Sequence, residues 1–125
     1  MNKYELTDET RKLGSATLHR IRALRDFGDV KAGDLGGWVE REANLSQDGD
    51  CWVAENAVVI ENAVIRDHAW VSGFAVVSGD TVVRGSAAVS GFAWVSGFAV
   101  VSKNAVIRDH AWVSGDTVVS NEGRN

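Results

Sequence analysis

From Cys51 onward the chain divides without a gap into twelve six-residue units: CWVAEN, AVVIEN, AVIRDH, AWVSGF, AVVSGD, TVVRGS, AAVSGF, AWVSGF, AVVSKN, AVIRDH, AWVSGD and TVVSNE, ending at Glu122. The third residue of every unit is Val or Ile, and the first is always Ala, Thr or Cys51. The earlier segments Gly37–Glu42 and Ala43–Asp48 follow the same small-x-aliphatic pattern, with Gly37 and Ala43 at position 1 and Val39 and Leu45 at position 3, before Gly49-Asp50 breaks the phase. A strand turns successive side chains to opposite faces, so positions 1 and 3 share one side and positions 2 and 4 the other. A constant aliphatic beside a constant small residue describes a narrow interior. Each Val or Ile buried there contributes roughly 1.5–3 kcal/mol. One unit cannot bury its own face, so stability must accumulate by stacking repeats.

Positions 5 and 6 are then the corners, where residues tolerant of positive φ are needed. Nine of the twelve units carry Gly, Asp or Asn at position 5. The exceptions are Glu55, Glu61 and Lys103, each followed by an Asn (Asn56, Asn62, Asn104), which we expect to turn those corners instead. Regularly spaced Gly and runs of Val argue against helix. An antiparallel meander would need strands of only three or four residues, below the usual five or six.

The pattern resembles the hexapeptide-repeat, left-handed β-helix proteins, in which three hexads form one triangular coil of eighteen residues. The resemblance implies an all-β fold: a parallel β-solenoid, a left-handed triangular β-helix of about four to five coils with an N-terminal β-hairpin cap. Handedness comes from the resemblance alone, since parallel crossovers are ordinarily right-handed. The stretch Asp29-Val30-Lys31-Ala32-Gly33-Asp34-Leu35-Gly36-Gly37-Trp38-Val39, with Leu45 to Val53, is similar to the start of a group of uncharacterised enterobacterial and prophage proteins carrying a hexapeptide-repeat transferase label. That label is itself an inference from fold, and fold does not establish function.

We expect residues 1–36 to form the cap, 37–122 the solenoid and 123–125 a short tail, with full coils at 51–68, 69–86, 87–104 and 105–122. Within the cap, Lys3–Leu6 and Thr17–Asp26 read as strands around a turn region at Asp8–Ser15. In the second strand, Leu18, Arg20, Arg22 and Leu24 alternate with His19, Ile21, Ala23 and Arg25.

Eighteen-residue stacking sorts the outward position 2 into columns. Face one carries Trp52, Trp70, Ala88 and Val106; face two carries Val58, Val76, Trp94 and Trp112; face three carries Val64, Val82, Val100 and Val118. Face two has no charge at position 4 (Ile60, Ser78, Ser96, Ser114), whereas face three has Arg66 and Arg84. An uncharged apolar strip of this kind marks an interaction surface. Val58, Ile60, Val76, Trp94 and Trp112 are therefore the expected partner face, with Trp52 and Trp70 a secondary one. The alternatives are that outward valine merely reflects β-propensity, or that the hairpin covers the strip. A second expected contact is the open coil end at Thr117, Val118 and Val119. Phe74 and Phe92 stack on the corner after face one, as an edge ladder rather than a ligand platform.

Signs of chemistry are few. Hexapeptide-repeat acyltransferases typically add an extruded loop with a catalytic histidine, and no such loop interrupts these hexads. The related γ-type carbonic anhydrases need three zinc-binding histidines. Here His68 and His110 fall on different edges and His19 lies outside the repeats, so both repeat histidines read as solvated corner residues. They belong to a duplicated block, AVIRDHAWVSG, at 63–73 and 105–115, whose offset of 42 is not a multiple of eighteen. No phosphate-loop, nucleophile-elbow or C-x-x-C motif occurs. Thr81 and Thr117 point inward, which excludes an ice-binding rank of threonines. The single Cys51 excludes an internal disulfide. The net charge is −4, and residues 37–125 hold six basic against eleven acidic side chains, which leaves no basic stripe for nucleic acid. The acidic corner residues read as solvated surface. No apolar run approaches the roughly 18 residues that span a bilayer, and the N-terminus lacks a signal-peptide core. The expected protein is thus a cytoplasmic, non-catalytic, self-associating interaction module without cofactor or metal, binding itself (as dimer or trimer) and a host protein, as a prophage-encoded adaptor or inhibitor would. An acyltransferase with its site between subunits is the alternative.

Overall fold

In the computed structural model, which describes residues 2–121, the repeats form a parallel β-solenoid of about five turns. Each hexad contributes a strand centred on positions 2 and 3, and each strand pairs in parallel with the one eighteen residues later, as Val53 does with Val71 and Val59 with Val77. The amide of one coil donates to the carbonyl of the next, as from Ala54 to Val71 at 2.7 Å and from Ile60 to Val77 at 2.9 Å. Three sheets result, one per face, and the face-two sheet is extended by the N-terminal hairpin to seven strands. Positions 1 and 3 fill the interior: Ala57, Val59, Ala63, Ile65, Val77 and Val95 are all fully buried. Thr81 also points inward and donates its hydroxyl to the Ser78 carbonyl at 2.7 Å, so its polar atom is satisfied.

The first turn is longer than the rest. Val39 pairs with Val59 and Leu45 bridges to Ile65, each twenty residues on rather than eighteen. Gly49-Asp50 supplies the two extra residues. Between those contacts Asn44, fully buried, accepts from the amides of Glu40 and Arg41 and donates to the carbonyls of Glu61 and Ala63.

The corners correct the sequence expectation. Positive φ sits at position 5 in the first eleven hexads, on Glu55 (60°), Glu61 (61°) and Lys103 (59°) themselves, not on the asparagines that follow. Stacking explains it, because a corner must lie directly over the one below it. A left-handed conformation costs an L-residue about 1–2 kcal/mol. Part of this is offset where the side chain reaches the next coil: Glu55, Glu61 and Asp67 accept from the amides of Gly73 (2.7 Å), Gly79 (2.7 Å) and Gly85 (3.0 Å). These acids are therefore coil-to-coil ties rather than merely solvated surface. Glycine is required where the layers approach closest: a Cβ on Gly79 would lie 2.7 Å from the Gly97 carbonyl.

The cap also differs from expectation. Strand β1 spans Tyr4–Leu13 and β2 spans Ala16–Ala23, with the turn at Gly14-Ser15 rather than across Asp8–Ser15. The polar run Asp8–Lys12 extends as an exposed edge strand, and a register shift between Leu6 and Thr10 bends it. Strand β2 pairs antiparallel with β3 (Leu35–Val39), which joins the solenoid. A second shift, between Arg20 and Arg22, breaks the simple alternation. Ile21 and Ala23 enter the main core, while Leu18 is buried on the other side.

The hairpin is pinned by its first residues. Lys3 is fully buried, and its ammonium donates to the Cys51 carbonyl (2.8 Å), the Gly49 carbonyl (3.2 Å) and Cys51 Sγ (3.3 Å). The Tyr4 hydroxyl is shared between the carbonyls of Glu42 (2.8 Å) and Leu45. Burial pushes the Tyr4 phenol and the Cys51 thiol up and pulls the Lys3 ammonium down from its usual range. The consequences for stability oppose one another. The folded state holds the Cys51 and Tyr4 protons past their ordinary values of 9.0 and 10.0, so stability falls as the unfolded chain ionises there. Lys3 is already less protonated when folded, so its contribution rises with pH up to 10.5 and is flat beyond. Thermal stability should therefore drop above pH 10.5, and Tyr4→Phe combined with Cys51→Ala should flatten the drop relative to each variant's own neutral-pH value. An unchanged slope in that variant would remove this assignment.

Candidate functional site

Residues of five successive strands line up along the outside of face two: Trp38, Val58, Val76, Trp94 and Trp112 share one register. The hairpin tip folds over the first part of this row. Leu18 packs on Trp38 and Val58, which are 5% and 4% exposed, while Ala16, Ile60 and Val76 pack around them. The guanidinium groups of Arg11 and Arg20 lie 4.6 and 5.2 Å from the Trp38 ring centre. Leu13, Ser15 and Ala16 at the tip line a groove with Ile60, Glu61, Asn62 and Asp80. Val58 is therefore buried and Ile60 and Val76 half-buried within the chain, and the fully exposed strip is shorter than the sequence columns imply.

The remainder is open. Trp94 and Trp112 are 49% and 71% exposed and stack on each other with ring centres 5.7 Å apart at 16°. On the adjoining corner Phe74, Phe92 and His110 form a continuous ladder, with centres 5.2 Å apart at 3° and 7°. His110 was not anticipated there, although its position eighteen residues after Phe92 was the available signal. Phe98 stands exposed on the opposite corner of the same face. Ser78, Ser96 and Ser114 add no charge between the corners. Rings stacked face to face offer their edges to solvent, which suits a flat apolar protein surface better than the sandwiching of a planar ligand.

The secondary face is corrected. Trp52 is 2% exposed and lies beneath the cap, with edge-on contacts to Tyr4 and Phe27. Trp70 is half-buried and packs against the core. A tryptophan at an outward position is hidden here because the chain before β3 passes outside it, a tertiary event with no local signature. At the last coil Thr117 and Val118 are exposed and Val119 is half-buried.

His68 is exposed, with Nδ1 3.5 Å from Asp50 Oδ2, eighteen residues earlier. Cys51 is free, buried and held as a thiol by burial. Among the described residues no group of three or more His, Cys, Asp and Glu could hold a metal ion, and no helix is long and apolar enough to cross a membrane.

No family model matches the chain. Over 67 residues, 47% of this chain and 21% of the relative, it is 37% identical to a protein of Escherichia coli (strain K12) named Uncharacterized acetyltransferase YdcK. The stacked hexads and this relative fit the resemblance to hexapeptide-repeat proteins. The alignment spans about a fifth of the relative's length, so the relative's name describes a much larger protein. A hexapeptide-repeat solenoid supplies a rigid prism, and chemistry must be sought in what its faces carry.

Proposed function

We propose that this chain is a rigid interaction module whose docking surface is the open aromatic part of face two. The carrying observation is that Trp94 and Trp112 remain half or more exposed beside three exposed phenylalanines, on a face whose earlier part the chain buries against its own hairpin. Exposed apolar patches of this kind mark binding sites, and tryptophan is enriched among the residues that dominate interface energy. A prophage-type adaptor or inhibitor acting on a host protein is the cellular role this surface would serve. The double variant Trp94→Glu/Trp112→Glu should keep the far-ultraviolet β signal and lose the proteins that wild-type chain captures from a bacterial lysate. Identical capture by both would sink the assignment of the strip.

A second reading is an acyltransferase working between subunits, and what favours it is the name of the relative. Calorimetric titration with acetyl-CoA separates the two, since tight binding promotes the transferase and none removes it.

A further inference from the structure

We infer that the occupant of this strip is a second copy of the chain, laid antiparallel over the last two coils. This rests on the docking reading above and names its partner. Two observations select the copy, and a third selects its direction.

The first is charge. The chain carries −4 overall, with the excess acid in the repeats, so most of its surface meets a second copy with like charges opposed. The open part of face two presents only Trp94, Trp112, Ser96 and Ser114 between its corners. Between those corners strip against strip opposes no like charges, and on the corner itself Phe98 stands between Asp80 and Asp116 of the neighbouring coils.

The second is area. Four aromatics of these two coils (Trp94, Trp112, Phe92 and Phe98) are each about half exposed or more. An aromatic side chain buries about 150–250 Å², so the open patch offers on the order of 450 Å² per copy. A stable specific interface takes roughly 1,200–2,000 Å² in total, and transient encounters take less. Two such patches fall in the transient class, which makes a weak, reversible pair.

The third is the hairpin. Its tip projects from the outer side of face two over Ile60 and Val76. Two copies pointing the same way would bring their tips together and hold the strips apart. Turned end for end, the open halves overlap, Trp94 of each copy faces Trp112 of the other, and each tip abuts the far coil of its neighbour. Because the exposed half is used once per copy, the assembly closes at two.

Sedimentation velocity over a concentration series tests this, alongside cross-linking with a short bis-maleimide. Cys51 is buried, so wild type serves as the unreactive control. The expected result is a mass that doubles with rising concentration in wild type and stays single in Trp112→Glu. Ser114→Cys should link between copies, and Ser15→Cys, on the hairpin tip, should not. A single-copy mass at every concentration overturns the second-copy proposal and leaves lysate capture to decide the broader docking reading. A doubled mass persisting in Trp112→Glu, or linkage at Ser15→Cys, overturns the proposed arrangement.

Discussion

Val83→Asp should abolish the cooperative unfolding transition, while Val82→Asp, one residue earlier, should keep most of it. Val83 is fully buried between Ile65 and Val101 in adjacent coils. An aspartate there loses about 1.5–3 kcal/mol of apolar burial and leaves a carboxylate without partners, at an effective penalty of several kcal/mol. Together these approach the 5–15 kcal/mol total stability of an ordinary domain. The damage also propagates, because each coil is stable only through its neighbours. Val82 is half-buried on the outside of the same strand. Asp at that position forfeits mainly strand preference, on a scale spanning about 1 kcal/mol. Urea unfolding followed by circular dichroism reads both. Equal losses would mean that the inside and outside of the strand have been confused.

The second large effect is expected at Lys3. Lys3→Ala removes the donor that satisfies the Gly49 and Cys51 carbonyls at the start of the repeats. Leaving a buried carbonyl unsatisfied costs about 1–3 kcal/mol, and hydrogen bonds from a charged donor contribute about 1.5–3 kcal/mol. The ammonium also lies 4.9 Å from the centre of the Phe27 ring, so its loss loosens the packing around Trp52 as well. The loss should concentrate in the cap: faster amide exchange in β1 and the first turn, and a Cys51 thiol that now reacts with a maleimide. Lys3→Met, which keeps the apolar stem, should fall between. A variant whose Cys51 stays as unreactive as in wild type would show that Lys3 does not seal that end.

The solenoid was legible in the sequence because its constraint is periodic. Val53, Val59 and Ile65 each report the same interior, and eighteen-residue stacking follows once three hexads close a coil. Corner geometry was half legible. Gly73 and Gly79 announce positive φ, but Glu55 and Lys103 adopt it because the coil below leaves them no other place. What escaped was everything set by contacts remote in sequence. Nothing near Trp52 says that residues Tyr4 and Phe27 cover it, and nothing near Val58 announces Leu18. Lys3 meets Cys51 across 48 residues with no shared motif. The outward column follows directly from the eighteen-residue period, whereas the hairpin that packs over its first part belongs to a stretch of the chain with no repeat.

The twenty-residue first turn and the eighteen-residue turns below it make chain length a form of addressing. Adding six residues anywhere in the hexads leaves the interior intact and rotates every later outward residue by one face. Adding eighteen lengthens the prism and preserves every alignment. The duplicated AVIRDHAWVSG block illustrates the first case: displaced by seven hexads, its histidine sits against Asp50 in one copy and on Phe92 in the other. Tandem copying in this fold can therefore rewrite a surface in one step, with no trial of a new core.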